Sequence, residues 1–370
     1  MNILLLSSGI EDYTVHYANA MSSSCDITLV VPSRLFASHR PHIRRDIDVR
    51  LMDWPRMRSV SNIALLWRLV TLIKTVKPDL VHVVTHGDAW LPLLGPLIRP
   101  IPVMTTIHDI SLHPGDSASA KVPQWYRTLS ARLCDGFVVH GNGLKAQLLD
   151  VLQVSEDRVF VIPLIAISKY ADLAQELGLC GNDGKAPHFN VLFFGRIYEY
   201  KGLEYLVRSE PFVSDQIPFV RFVIAGRGAE TSPYQALIEN SGSFDIRNRF
   251  IPDEETARLF SEADLVVLPY VEASNSAVLA ITTTLGKPVV VTDVGELGEI
   301  VTTSEMGIVV PSRDAKALAR AIVLLAENTA LREKLGRNAL VYAQTIQSPK
   351  HVCDLSVRAY KHLVDLHTTG

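Results

Sequence analysis

Arg196 and Lys201 stand five residues apart in GRIYEYKG, directly after the apolar run Phe189–Phe194. The pattern reads as a strand, a glycine turn, a guanidinium, a short loop, an ammonium, and then a helix over Gly202–Ser209. Two cations beside a helix N-terminus are the parts of a diphosphate site. The helix end offers unpaired N–H groups, and the charges offset the negative charge that builds on a departing phosphate. Arginine gives planar bidentate contacts and lysine a mobile point charge, so neither replaces the other.

A second stretch with the same logic is Asp264–Gly295. Its apolar runs Leu265–Leu268 and Val289–Thr292 read as strands covered on both faces. Between them lie a polar loop, Tyr270–Asn275, and a helix, Ser276–Leu285, stopped by Gly286 and Pro288. Such a loop sits at the carboxyl edge of a parallel sheet, where the helix N-terminus meets an anion or a polyhydroxylated ligand. Alone, the stretch reads as an ordinary βαβ unit with nothing bound; the Arg196/Lys201 loop is what changes that reading.

Two further positions come from the first half. Pro102–Thr106 reads as a strand that runs straight into Ile107-His108-Asp109, so His108 falls where α/β folds bind ligands. His82 lies inside the strand Asp79–Thr85, with His86 just past its end, and His82 reads as a satisfied core residue. Gly9 belongs to the loop Ser7–Asp12 after the first strand, Asn2–Leu6. That loop reads either as a plain turn or as a ligand loop; the GxGxxG fingerprint is absent, so dinucleotide binding is not supported.

The elements that must carry these positions alternate regularly. Helix Tyr13–Met21 and strand Asp26–Val31 follow the first loop, helix Ile63–Val76 packs a broad apolar face, helix Lys121–Leu133 precedes strand Gly136–His140, Asn142 caps a short helix, and Val159–Ile162 closes the half. Gly178–His188, rich in Gly, Asn, Asp and Pro, has a linker's composition. The boundary therefore falls between Ala166 and His188. We divide the chain into residues 1–168, 169–350 and a last segment, 351–370. After the boundary the alternation restarts, with strand Arg221–Ala225 and helix Pro233–Glu239 before the second stretch above.

Residues 34–58 differ in kind. Seven arginines from Arg34 to Arg58, with His39, His42 and Trp54, stand against Asp46, Asp48 and Asp53. The segment reads as a solvated loop and edge strand, or as a patch that touches anionic lipid headgroups or a lipid-diphosphate acceptor.

Composition narrows the classes. The 370 residues exceed one ordinary core and suit two domains, and a net charge of −3 gives no global attraction to nucleic acid or anionic lipid. The four cysteines are scattered without CxxC or metal-ligand spacing, as in a cytosolic protein with reduced thiols. The N-terminus reads as no signal peptide, and Arg68 interrupts the longest apolar run, which argues against a membrane span. No acidic pair is read as a metal-binding D-x-D motif.

GR-x4-KG, FVIAGRG at 222–228, FIPDEETARLFSEADLVVLPY at 250–270 and GKPVVVTDVGELGE at 286–299 together resemble the family 4 glycosyltransferases. The likeness is ordered over 189–300; in the first half it rests on the Gly9 loop and Thr106–Asp109. It implies an α/β fold of GT-B type: two Rossmann-like domains with parallel sheets facing across a cleft, and a C-terminal helix crossing back to the first. By resemblance, Arg196 and Lys201 match the pair that holds the nucleotide diphosphate and Gly9 the loop approaching it. His108 matches the cleft histidine near the transferred sugar, and Phe250, Ile251 and Pro252 fall where main-chain groups meet the base. The N–H groups at Ser274, Asn275, Ser276, Ala277 and Val278 would bind a phosphate or sugar oxygen.

The sequence also departs from the family. Relatives commonly carry two glutamates eight residues apart, the first on the sugar and the second on the ribose; here those positions are Ala273 and Ile281. Glu272, one residue before the first position, is the substitute for the sugar contact, and EASNSAVL resembles a branch with an EAS-x-SG pattern that lacks the second glutamate. The resemblance implies retaining transfer from a UDP- or GDP-sugar without an essential metal, to a saccharide or lipid-linked acceptor. Surface polysaccharide or glycolipid assembly, in the cytoplasm with peripheral membrane contact through 34–58 and no nucleic acid partner, completes the expectation. Alternatives are a nucleotide-sugar epimerase on the same fold, a non-catalytic nucleotide-sugar-binding protein and, least of all, a nicotinamide-dependent dehydrogenase.

Overall fold

Among the described residues thirteen strands, all paired in parallel, form two sheets. The computed structural model describes residues 1–56, 59–85, 94–110, 131–179, 188–228, 234, 236–238 and 240–369. The expected helices Lys121–Leu133 and Pro233–Glu239, the centre of the linker segment, His86 and Arg58 lie wholly or largely outside these residues. The chain divides into two units, one running to Ile165 and resuming at Ile346, the other spanning Ala166–Thr345.

In the first unit the strands are β1 (Asn2–Leu6), β2 (Asp26–Pro32), β3 (Asp48–Met52), β4 (Leu80–Val83), β5 (Val103–Thr106), β6 (Gly136–Val139) and β7 (Val159–Val161). Their order is β3-β2-β1-β4-β5-β6-β7. Leu4 pairs with Thr28 on one side and Val81 on the other. Central strands are buried on both faces, which is why they read as continuous apolar runs; β3, the edge strand, has no buried residue and mixes Asp48 and Arg50 with its apolar ones. The order reverses between β1 and β4, so the loops leaving these strands flank a crevice at the carboxyl edge.

The last helix, Pro349–Thr369, packs against the first, Glu11–Met21, within this unit. Their contact is polar at its centre. The Tyr17 hydroxyl is 2.9 Å from Ser356 Oγ and 2.9 Å from the Tyr360 hydroxyl. His82, inaccessible to solvent, bonds Tyr360 at 2.7 Å through Nδ1 and Thr106 Oγ1 at 2.8 Å through Nε2. Burial pushes the His82 pKa down to about 3, so the ring is neutral and structural.

The second unit contains β8 (Phe189–Phe194), β9 (Val220–Gly226), β10 (Phe244–Asn248), β11 (Leu265–Leu268), β12 (Val289–Thr292) and β13 (Gly307–Val310), in the order β10-β9-β8-β11-β12-β13. Val191 lies between Phe222 and Leu265 in register, and the core gathers Phe193, Phe222, Val267 and Val290 under the helix Leu203–Ser214. Here the order reverses between β8 and β11. The Arg196/Lys201 loop leaves β8 and the Tyr270–Ser276 loop leaves β11.

Several boundaries differ from the sequence reading. Helix Lys169–Glu176 lies inside the segment read as a boundary; it buries only Tyr170 and Ala174, too few apolar residues to show a period. Gly141, not Asn142, is the N-cap of the helix Asn142–Leu152, and no side chain caps it. Ser276 precedes its helix, Ala277–Thr284, as N-cap, with its Oγ accepting from the Leu279 N–H; Gly286, at φ 62°, follows that helix in the left-handed region.

Candidate functional site

The second unit gathers most of the candidate residues around its strand-order reversal. Gly195 follows β8, and a Cβ on Gly226 would fall 1.8 Å from the Gly195 carbonyl oxygen, so only glycine lets β9 pass here. Arg196 leaves this junction exposed, with its Nη2 donating to the Tyr200 hydroxyl at 3.2 Å and its guanidinium 5.4 Å from the Tyr198 ring centre. Lys201 Nζ lies 3.6 Å from the centre of the Tyr270 ring and 4.9 Å from that of Tyr200, a cation–π setting that steers the ammonium.

The two loops are stitched together by main-chain bonds. Val271 N–H donates to the Tyr200 carbonyl at 2.8 Å and Glu272 N–H reaches it at 3.4 Å. Gly202 closes the Glu199–Lys201 turn at φ 65°, and a Cβ there would lie 1.9 Å from the Pro269 carbonyl oxygen. Glu272 is therefore held beside the loop that carries the cations.

Tyr270 links the loop to the helix behind it, with its hydroxyl 3.1 Å from Ser276 Oγ. Burial pushes the Tyr270 phenol up, so it stays neutral. Asn275 Oδ1 accepts from the Ser276 N–H at 2.7 Å, and the Ser274 carbonyl accepts from Glu296 N–H at 3.1 Å. The N–H groups of Ala277 and Val278 make no hydrogen bond among the described residues. Two cations and two open amide donors thus border one crevice, an arrangement that can hold a diphosphate. Ile281, in the same helix, is buried.

Ile251 stands apart from this group. It follows β10, at the sheet's edge and two strands from β8, and its main-chain N–H and C=O make no hydrogen bond among the described residues. Phe250 beside it is 73% exposed.

Gly9 and His108 belong to the first unit. A Cβ on Gly9 would meet nothing within 4 Å, so the unit's own packing does not demand glycine there. Its carbonyl accepts from Ser7 Oγ at 2.8 Å and Thr14 Oγ1 at 3.1 Å, which fixes the loop beside the end of β4 through Thr85. His108 Nε2 bonds the Val84 carbonyl at 3.1 Å, and its Nδ1 lies 3.2 Å from Nε2 of His140. The edge of the Tyr13 ring meets both imidazoles.

Sequence reasoning missed His140, Tyr200 and Tyr270. The available signal for His140 was its place immediately after β6, as His108 follows β5. It also passed over Asp46 and Asp48, which do stand at D-x-D spacing. Each is bonded to an arginine, Asp46 to Arg44 at 2.9 Å and Asp48 to Arg50 at 3.0 Å. These pairs commit two of the seven arginines of the 34–58 patch.

Comparison with known proteins is consistent across both units. The family model for glycosyltransferase family 4 matches residues 7–164, and that for glycosyl transferases group 1 matches 188–328. A D-inositol 3-phosphate glycosyltransferase from Corynebacterium aurimucosum is 31% identical over 70% of this chain and 67% of its own. The alpha-D-kanosaminyltransferase of Streptomyces kanamyceticus is 25% identical over 68% of each chain. The match thus spans about two thirds of the length of these relatives. A solved glycosyltransferase from Rickettsia africae superposes with TM-score 0.76 at 19% identity over 98% of each chain. Anabaena HepE, solved in complex with UDP-glucose, gives TM-score 0.71 at 16% identity over 100% of each chain. The architecture of the two parallel-sheet units is that of the GT-B fold, and the chain belongs to glycosyltransferase family 4.

Proposed function

We propose that the chain transfers a sugar from a UDP- or GDP-sugar to the hydroxyl of a saccharide or lipid-linked acceptor, with retention and without an essential metal. The observation that carries this reading is the meeting of Arg196, Lys201 and the open Ala277 and Val278 amides at the reversal between β8 and β11. In this mechanism Arg196 and Lys201 stabilise the charge that develops as the C1–O bond to the diphosphate breaks. The acceptor oxygen bonds to C1 from the same face, and its proton passes to the departing diphosphate oxygen. Glu272 and His108 orient the sugar, the Gly9 loop admits the diphosphate, and Ile251 offers its main chain to the base. HepE, of like fold, was solved with UDP-glucose, which supports a uridine nucleotide as the first donor to test. With Ile281 where relatives carry a ribose-binding glutamate, ribose contacts must come from other groups.

A thermal-shift screen of UDP-, GDP- and ADP-sugars tests the donor. Binding at a hundredfold excess over Kd adds about 2.7 kcal/mol, a rise of several degrees. One nucleotide class should raise the melting temperature and the others not, and the anomeric configuration of the product, read by NMR, tests retention. No shift and no product with any donor would sink the reading.

A membrane-linked acceptor is supported by a second surface. Val60, Ile63 and Trp67 are 83%, 63% and 60% exposed and lie within one face at and after the start of helix Ser61–Val76. Arg34, Arg40, Arg45, Arg56 and Arg68 are exposed around or near it in sequence. No described helix is long and apolar enough to cross a membrane. Apolar anchors with exposed arginines suit peripheral docking on the anionic cytoplasmic leaflet, as part of surface polysaccharide or glycolipid assembly. The chain should sediment with phosphatidylserine vesicles and not with phosphatidylcholine vesicles. The double substitution Ile63→Ser, Trp67→Ala should release it, and equal sedimentation of both proteins would rule the surface out.

A further inference from the structure

The amino edge of the first sheet, the end away from His108, carries a cavity of about 470 Å³. Its walls come from the stretches that enter β6 and β7, from Pro96 and Arg99 ahead of β5, and from the last two turns of the helix Pro349–Thr369. No residue of the proposed donor site lines it. The volume falls in the range of about 300–1,000 Å³ in which small-molecule sites lie.

The charged groups around the cavity are of two kinds, committed and open. Arg99 Nη2 lies 2.9 Å from Asp135 Oδ1, and its Nη1 lies 3.1 Å from His367 Nε2. The second Asp135 oxygen accepts from the Val103 N–H at 2.8 Å, so this group is satisfied from within. Arg158 donates through Nε and Nη2 to the Asp135 and Cys134 carbonyls, which orient it, yet it forms no ion pair among the described residues. Arg132 and Asp157 line the cavity, are exposed, and make no hydrogen bond or ion pair among the described residues. Ser155 keeps its hydroxyl out of the turn that it precedes. Leu363 and Leu366 add an apolar wall.

Two cations without an acid partner, one open carboxylate and one open hydroxyl call for a ligand that both accepts and donates. A bare anion would suit Arg132 and Arg158 and be repelled by Asp157. A phosphate ester of a polyol suits all four. Its phosphate takes charge-assisted bonds from the guanidinium groups, and its hydroxyls donate to Asp157 and exchange bonds with Ser155. The C–H face of a sugar ring would pack on the leucines.

We propose that this cavity binds a polyhydroxylated phosphate monoester, of the sugar-phosphate class, at a site separate from the nucleotide-sugar crevice. Because the last helix supplies one wall, the ligand fastens that helix to the starts of β6 and β7 and stabilises the first unit.

Calorimetric titration of the full chain with glucose 6-phosphate, glucose and inorganic phosphate tests the site. The ester should bind once per chain, more tightly than inorganic phosphate, and glucose should not bind. Arg132 has no bonded partner to lose among the described residues, so Arg132→Ala should fold as the wild type does while weakening the ester about tenfold or more. Arg196→Ala should leave that affinity unchanged. Asp157→Ala should weaken the ester and tighten inorganic phosphate, since it removes a hydroxyl acceptor and a repulsive charge together. Bound ester should also slow amide hydrogen exchange in the last helix. Undiminished affinity in Arg132→Ala, equal affinity for inorganic phosphate, or no binding of the ester would overturn the proposal. Turnover enters none of these readings, so failure of the transferase reading would leave the result standing.

Discussion

Replacing Arg196 with alanine should lower kcat by about two to three orders of magnitude while leaving the melting temperature nearly unchanged. The Arg196 side chain is exposed, so little packing is lost with it. Its loss would be felt where charge builds on the departing diphosphate. Because that charge is larger in the transition state than in the bound donor, kcat and kcat/KM should fall together. A rise in KM at constant kcat would mean that Arg196 binds the ground state and the transition state equally. Lys201→Ala should act in the same direction. Lys201→Arg should rescue it only in part, since a guanidinium can lie over Tyr270 but spreads its charge over a larger plane than the compact ammonium held 3.6 Å from the ring centre. Near wild-type turnover in Arg196→Ala would remove the basis of the proposed site.

The parts of this site were legible to different degrees, and the reasons are physical. Leu265–Leu268 and Val289–Thr292 announced themselves because strands covered on both faces need apolar residues at every position. Gly195, Gly202 and Gly226 mark places where one backbone passes within van der Waals contact of another, and a sequence shows the glycine without showing the partner. The order β10-β9-β8-β11 was not written in any window of residues, yet it is what puts the Arg196 and Tyr270 loops side by side. Tyr200 and Tyr270 were read only as loop residues; their role as supports for the two cations depends on the stitch between Tyr200 and Val271. Asp46 and Asp48 show the opposite error. A motif stood in the sequence, was overlooked, and proved to be two carboxylates each committed to an arginine two residues away. Helix Lys169–Glu176, anchored by Lys169 to Asp253, escaped because it is short and mostly polar; the segment whose composition reads as a linker, Gly178–His188, begins just after it.

The largest stability effect should come from a residue 278 positions away from its main partner, Tyr360 in the last helix. Its ring is inaccessible to solvent, its edge packs on His82, and its hydroxyl serves both His82 Nδ1 and the Tyr17 hydroxyl. Tyr360→Phe keeps the ring and removes the hydroxyl. His82 Nδ1 then keeps only the Tyr17 hydroxyl, 3.5 Å away, and a buried group left so poorly satisfied costs about 1–3 kcal/mol. Tyr360→Ala also leaves a cavity the size of an aromatic ring, for which the cost is about 3–5 kcal/mol. Denaturant unfolding of the full chain should therefore rank the variants wild type, Phe, Ala, with the loss confined to the transition of the first unit. The second unit's core contains no residue of this cluster, so its transition should stay in place. The comparison separates two views of the returning helix. If it merely covers an apolar face, Tyr360→Phe will be close to neutral. A clear loss in Tyr360→Phe means that the chain of hydroxyls from Ser356 and Tyr17 to His82 and Thr106 is what fastens the C-terminal segment to β4 and β5. Since His108 leaves β5, its place at the sheet edge should then loosen with the helix, and His108-dependent turnover should fall in Tyr360→Ala under conditions where the second unit is fully folded.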